Sequence, residues 1–558
     1  MVLLGTLAQP QGAAPPKQAG EFQISGTVVD ANGGQPLVNA RVAIAPVSQR
    51  DAFITVITGD DGRFLFSSLV AGKYTLTAQR RGYLTQAFNQ HEQYSSSIAA
   101  GLGLESGNLV FRLPRECVIS GSVIDDRGDP VREAQVTLFQ SMFIGGSRSV
   151  RPRTSTATDS EGFYRFAHLP AGRYFIAVSG EPWYAQRPTP NAGMRLNSAD
   201  GSSLNVDVGS PAGSGPVNEQ AAPAAEEPPS PLDVAYPITF YPGVTGAVAA
   251  SAIALDKGEK VSADLILHAV PAMHIRIATG NTDETHQSYG TLEQRFFDGA
   301  SMSVRTQTIS IAPGVMELVG VAPGHYTLKT DGWNDGHMQP GQEREIDVSG
   351  SGELDTSHDR SLASFKGTVS LEAGASMPAQ AFIVLRDKKS GRVVSDRFNA
   401  KNEVEISQGV AAGSYEVSLQ TNQDVYIKSL SATGARATGR TLDIKGSSPV
   451  KVNMVVAKGE GTVRGTAMQG DKPFAGAMIV LVPADAADNQ VLFRRDQSDS
   501  DGTFTLANVV PGRYTVLAIN NGWELEWAKP EVLKKFMALG EGVIVEARGN
   551  YSVKVKVQ

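Results

Sequence analysis

The chain has 558 residues, 41% hydrophobic and 19% charged, with a formal net charge of −7 and a pI near 5.7. Single cores stop growing near ~250–300 residues, so several domains are expected. The acidic balance argues against a nucleic-acid or anionic-membrane surface, which needs a basic face, and the lone Cys117 excludes internal disulfides and cysteine-built metal centres.

The first 20 residues hold a short apolar stretch, Ala8, and then a Pro/Ala/Gln/Gly run, which reads as a truncated secretion signal and linker (1–20). Strand alternation starts with Ile24 to Asp30 and continues through Val42 and Ile44, Thr55 to Thr58, Arg63 to Phe66 and Tyr74 to Ala78. These segments define a first module over 21–114, punctuated by the turn signals Asn32-Gly33-Gly34 and Asp60-Asp61-Gly62. A second module over 115–208 repeats the order, from Ile119 to Asp125, through Pro130 to Leu138 and Asp159-Ser160-Glu161-Gly162-Phe163, to Tyr174.

Residues 209–232 are rich in Pro, Ala, Gly, Ser and Glu and read as a flexible linker that frees the first two modules from the rest. Modules over 233–350 and 361–457 are degenerate, with Ala312-Pro313-Gly314 and Lys401-Asn402-Glu403 in place of the Asp-rich turn. The last module, 458–558, restores it as Asp499-Ser500-Asp501-Gly502 and adds one helix, Pro530 to Leu539, with Val532, Leu533, Phe536 and Leu539 at helical spacing. No stretch reaches the ~18–20 apolar residues of a membrane span.

One signature runs through all five modules. Ala/Pro-Gly-x-Tyr, or a close variant, places Tyr74, Tyr174, Tyr326, Tyr415 and Tyr514 at intervals of 100, 152, 89 and 99 residues. About one hundred residues is the size of a small β-sandwich. The glycine is expected to permit the turn, and the tyrosine to cap the core while its hydroxyl reaches backbone.

The G-x-V opening, the P-x-x-x-A-x-V second strand, the T/S-D-x-D/E-G-x-F turn and the P/A-G-x-Y turn occur in that order in modules one, two and five. This combination resembles the carboxypeptidase regulatory-like domain and, over the C-terminal stretch, secreted bacterial multi-module proteins built from it. The resemblance implies a transthyretin-like sandwich of about seven strands. The expected fold is therefore all-β: a tandem array of about five transthyretin-like or immunoglobulin-like sandwiches with one short C-terminal helix.

The family name invites a search for a zinc peptidase, which needs two histidines and a glutamate on the metal and a glutamate base. Its His-x-x-Glu signature is absent, and the eight histidines are scattered. The stretch from Gln497 to Asn508 imitates half a calcium loop but lacks the bidentate acid at its end. Catalytic, metal-binding and cofactor-binding residues are accordingly expected to be none, with the Asp-rich turns serving strand geometry and Cys117 buried and inert.

The better lead is aromatic. Trp183 with Tyr184, Trp333, and Trp523 with Trp527 follow the Gly-x-Tyr strands of modules two, three and five, where end loops are expected. Stacked aromatics in such loops hold sugar rings in sandwiches similar to starch-binding-type domains, although a tryptophan there also serves as a lid over a core. The expected protein is a secreted or periplasmic, non-enzymatic scaffold or binding protein whose partner is an extracellular protein or glycan. Carbohydrate binding through the loop aromatics is the alternative, and a regulatory partner of a hydrolase a third reading.

Overall fold

The computed structural model describes residues 20–49, 51–187, 194–197, 203–206, 230–278, 287–297, 300–312, 315–334, 337–355, 362–372, 375–389, 391–421, 423–486 and 489–558. The expected signal remnant and most of the expected linker lie outside them. The chain is all-β, with five two-sheet sandwiches and one α-helix, Pro530–Met537, among the described residues.

The first sandwich shows the plan. One sheet sets Arg63–Leu69, Phe22–Asp30 and Leu109–Leu113 side by side; the other sets Ile54–Ile57, Arg41–Pro46 and Gly72–Gln79. The opening strand lies parallel to the closing one, Gly26 beside Leu109 and Asp30 beside Leu113, so each module is fastened end to end. Alternation puts Ile24 and Val28 inside with Phe111 beside them, facing Val42, Ile44 and Leu76 of the other sheet in one buried core. The fifth sandwich repeats the fastening, with Gly461–Gln469 parallel to Asn550–Lys556.

The repeated motifs have defined structural work. Each signature tyrosine is buried. Its hydroxyl donates to the carbonyl four residues upstream: Tyr74 to Val70 at 2.9 Å, Tyr174 to Pro170 at 2.7 Å, Tyr326 to Ala322 at 2.7 Å, Tyr415 to Ala411 at 2.9 Å and Tyr514 to Val510 at 2.7 Å. Burial pushes the Tyr174, Tyr326 and Tyr415 phenols up to about 12, so they remain donors at any physiological pH.

The glycine two residues before each tyrosine answers different needs: Gly72 and Gly172 take positive φ of +155° and +157° with room for an added Cβ, whereas in the third, fourth and fifth modules space decides. A Cβ on Gly324 would lie 2.9 Å from the Tyr326 hydroxyl, and one on Gly512 would lie 3.3 Å from the Tyr514 ring. Positive φ is also required in the Asp-rich turns, at Gly62 (+70°), Gly162 (+78°) and Gly502 (+76°). The Thr or Ser opening those turns is a buried bridge. Thr158 donates to Val131 O at 2.6 Å and accepts from Ala134 N at 2.9 Å, and Thr58 and Ser498 do the same in their modules.

The second sandwich departs from the expected boundaries. Its strand Gly172–Ser179 pairs with Thr239–Phe240 and Ile253–Leu255, and Cys117–Asp125 lies parallel to Lys260–Ser262 and Leu265–Leu267. Residues 236–267 therefore complete the second module rather than begin the third, which starts with Met273–Ala278. The Pro/Ala-rich stretch leaves and re-enters the same sandwich. It is an insertion within module two, not a joint between modules two and three.

Candidate functional site

The sandwiches are not strung out as beads. The last module closes back on the first, and the contact is made by the Asp-rich turn that sequence reading assigned to strand geometry alone. Asp499 accepts from Lys73 Nζ at 2.5 Å and from Ser97 N at 2.7 Å, and Asp501 lies 3.5 Å from the same ammonium. Ser500 N donates to Ser97 O at 3.0 Å and its hydroxyl accepts from Ala99 N at 2.8 Å, so the turn pairs with the strand Ile98–Ala100 almost as an added strand. Burial alone would raise the Asp501 pKa, but Thr503 and Lys73 outweigh it and hold the carboxyl low.

Beside this clasp lies an aromatic patch. His91 stacks on Trp523 with ring centroids 4.9 Å apart and planes within 5°, and Tyr94 tilts against the same indole. Arg495 lies over Trp527 at 4.6 Å and over Tyr94 at 5.0 Å, while its Nη2 reaches Glu92 at 2.5 Å. Trp527 also covers Gly146 of the second module, where Ala528 N donates to Gly146 O at 3.2 Å. A Cβ at Gly146 would fall 2.7 Å from the indole, so a glycine lets the ring lie flat on the backbone. The Trp527 ring nitrogen is buried with no acceptor among the described residues; that costs roughly 1–3 kcal/mol, against which the Arg495 cation–π contact works.

These positions decide where the expected ligand aromatics fall. Trp523 and Trp527 are 7% and 5% exposed and buried between modules, so they do not form a loop surface for a ligand. Each aromatic of this size buries roughly 150–250 Å², which gives the seam its hydrophobic driving force. Trp333 pairs through its backbone with Gln287 and Met338 inside a sheet rather than in an end loop. Trp183 is different: it is 79% exposed, set edge-on to Tyr184 at 5.7 Å, with Arg127 over the Tyr184 ring.

The other seams are also specific. Phe139 and Phe240 of the second module meet Phe296 and Phe297 of the third in edge-to-face contacts. Arg392 of the fourth module donates to Glu343 of the third at 2.8 Å, and Val491 N of the fifth to Glu416 of the fourth at 3.1 Å. Between the first two modules, Asp30 accepts from Arg115 Nε at 2.6 Å and Tyr83 at 2.8 Å. Burial works against that charge, but these bonds with the backbone of Gly33 and Asn32 hold its pKa well below the ordinary carboxylate range.

Cys117 is buried, its thiol donating to Asp256 O at 3.0 Å. Among the described residues no three His, Cys, Asp or Glu side chains converge as a metal site, and no helix is long and apolar enough to cross a membrane.

Residues 23–97 and 118–208 match the carboxypeptidase regulatory-like domain, in step with the parallel fastening and buried tyrosines of those two sandwiches. The first two modules are carboxypeptidase regulatory-like domains. The second carries its insertion at the end of the matched span and completes its sheets beyond it. Residues 458–545 match the second β-sandwich domain of the NOMO1-like BOS complex subunit, so the fifth module is similar to that domain.

No curated protein matches the chain. Among solved structures, a streptococcal ancillary pilin aligns at 9% identity over 51% of this chain and 99% of its own, with a TM-score of 0.18. The Bacillus anthracis TIE protein aligns at 9% identity over 96% of this chain and 74% of its own, TM-score 0.16. The minor pilin GBS52 of Streptococcus agalactiae aligns at 12% identity over 45% and 96%, TM-score 0.19. Superpositions this loose carry no argument about what the carboxypeptidase regulatory-like modules do here.

Proposed function

We propose that this chain is a secreted or periplasmic, non-enzymatic scaffold whose five sandwiches form one closed frame that presents loops to an extracellular partner. The observation that carries the reading is the clasp of the first module by the Asp-rich turn of the fifth, with Trp523 and Trp527 buried beside it. A frame closed this way holds its surface loops at fixed separations without needing chemistry of its own. The repeated motif residues support the same view, because their polar groups are spent on backbone or on neighbouring modules. The test is an assay of the purified full chain against peptide, ester and glycoside substrates, with and without divalent metal. Turnover in any of them defeats the non-enzymatic reading.

A second reading, sugar binding, has one observation in its favour. Trp183 is exposed and held edge-on to Tyr184, an arrangement open to a stacking ring. Glycan-array binding by the full chain that is lost in Trp183→Ala supports it, and silence across the array removes it.

A further inference from the structure

We propose that the cleft between the first and second sandwiches is a binding site for an acidic oligosaccharide, held through its carboxylates. The cleft measures about 790 Å³ and lies where strand Gly72–Gln79 and the segment after it face strand Phe163–Leu169. Its walls carry Arg41, Arg80 and Arg81 from the first module and Arg165 from the second, against the single carboxylate of Glu116. Four arginines against one acid make the cleft formally +3 in a chain whose total is −7. This concentration of charge is local and spans two modules.

The charges are not consumed internally. Glu116, the one acid of the lining, has the His168 ring 2.5 Å from its carboxylate. Among the described residues no carboxylate is paired with Arg41, Arg80, Arg81 or Arg165. Arg80 lies over the Tyr83 ring at 5.4 Å, and the Gln79 amide oxygen, in the orientation that satisfies both side chains, accepts from Arg41 Nη2 at 2.8 Å. Two guanidiniums are thus positioned by neutral partners that leave their charge uncompensated, while Arg81 and Arg165 stand exposed at the two walls.

The chemistry of the lining chooses the ligand class. Guanidinium forks match planar carboxylates bidentately. A single small anion would be served by one compact cradle, whereas these forks come from the facing walls of two modules. The same walls carry Asn39, Thr85 and the amide nitrogen of Gln79, groups that pair with hydroxyls. A polymer alternating carboxylates with hydroxyls, as a polyuronate does, offers both. Rigid strands on either side, joined by Arg115 to Asp30, keep the walls at a fixed separation, so little ordering is left to pay on binding.

The probe is tetragalacturonate, titrated calorimetrically into the full chain at low ionic strength, with maltotetraose and an oligoglutamate of matching charge as comparators. Support consists of saccharide binding that weakens steeply with added salt, exceeds both comparators, and falls about tenfold in each of Arg81→Gln and Arg165→Gln. Both arginines are exposed, and unchanged circular dichroism and melting separate lost binding from lost folding. Trp183→Ala should leave this binding intact. No binding, equal binding of maltotetraose, tighter binding of oligoglutamate, or loss in Trp183→Ala each overturns the proposal. None of these outcomes bears on the scaffold reading, which does not use the cleft.

Discussion

The clasp between the first and fifth modules and the cleft between the first and second are both seams built on the same sandwich, and they treat charge in opposite ways. At the clasp, Lys73 faces two aspartates and Arg495 meets Glu92, while the apolar rings of Trp523 and Trp527 exclude water around them. At the cleft, Arg81 and Arg165 are exposed without a carboxylate partner among the described residues. Paired, desolvated charges belong to a contact meant to stay closed, because opening it strands them. Solvated cations gathered in a concavity lose nothing by waiting and gain on meeting an anion. The difference separates frame from binding surface within one module.

The largest effect should come from breaking the clasp's apolar half. Trp523→Ala should cost about 3–5 kcal/mol of the fifth module's docked stability, seen as a larger radius of gyration by small-angle scattering and as new proteolytic cleavage between modules. An unchanged radius would show that the seam does not close the frame. Asp499→Ala should cost about 1–3 kcal/mol, since it leaves the Ser97 amide unpaired and the Lys73 ammonium with Asp501 and Thr503 alone. Lys73→Met in the same chain should add to that loss, because Asp501 then loses its cation, read by chemical denaturation.

A third seam supplies a pH test. Burial raises the Glu460 pKa to about 7, against the lowering influence of Arg494 and Arg440 and with Asp424 nearby pushing the same way as burial. A carboxyl raised in the folded state holds a proton that the unfolded chain has released. Its contribution is therefore most favourable at low pH and is lost as pH rises through about 7. Glu460→Gln should accordingly gain roughly 1–2 kcal/mol at pH 8 and nothing near pH 4, measured by denaturation at the two values. The smallest effect belongs to the cleft. Arg81→Gln should move stability by less than about 0.5 kcal/mol, and a larger loss would mean that the cleft is a structural seam like the clasp.

Much of the fold could be read from the sequence because its determinants are local. A tyrosine hydroxyl bonded four residues upstream, or a glycine at positive φ four residues after a buried threonine or serine, leaves its mark within five residues. Even the degenerate fourth module keeps the device in altered letters. Asn399 Oδ1 accepts from Lys401 N and Glu403 N, and Asn402 adopts the left-handed φ of +60° that Gly62 and Gly162 take elsewhere. What could not be read is non-local. Strands of two and three residues at Thr239–Phe240 and Ile253–Leu255 carry too little alternation to declare their partner. Asp499 and Ser97 meet across 402 residues, and nothing in either segment's periodicity points to the other. Trp523 and Trp527 stand out in the sequence as aromatics near a sandwich end, but a sequence cannot tell a surface that meets a ligand from one that meets another module.

The insertion in the second module also sets a schedule. Val118 needs Lys260 beside it, a partner that lies 142 residues further along the chain. At about 5–20 residues per second, a chain emerging from a ribosome or a translocation pore leaves that strand uncovered for on the order of ten seconds. The first module, complete by Leu113, has its closing strand by then. The second must wait with its apolar edge open, which makes it the stretch of this protein with most to gain from a chaperone.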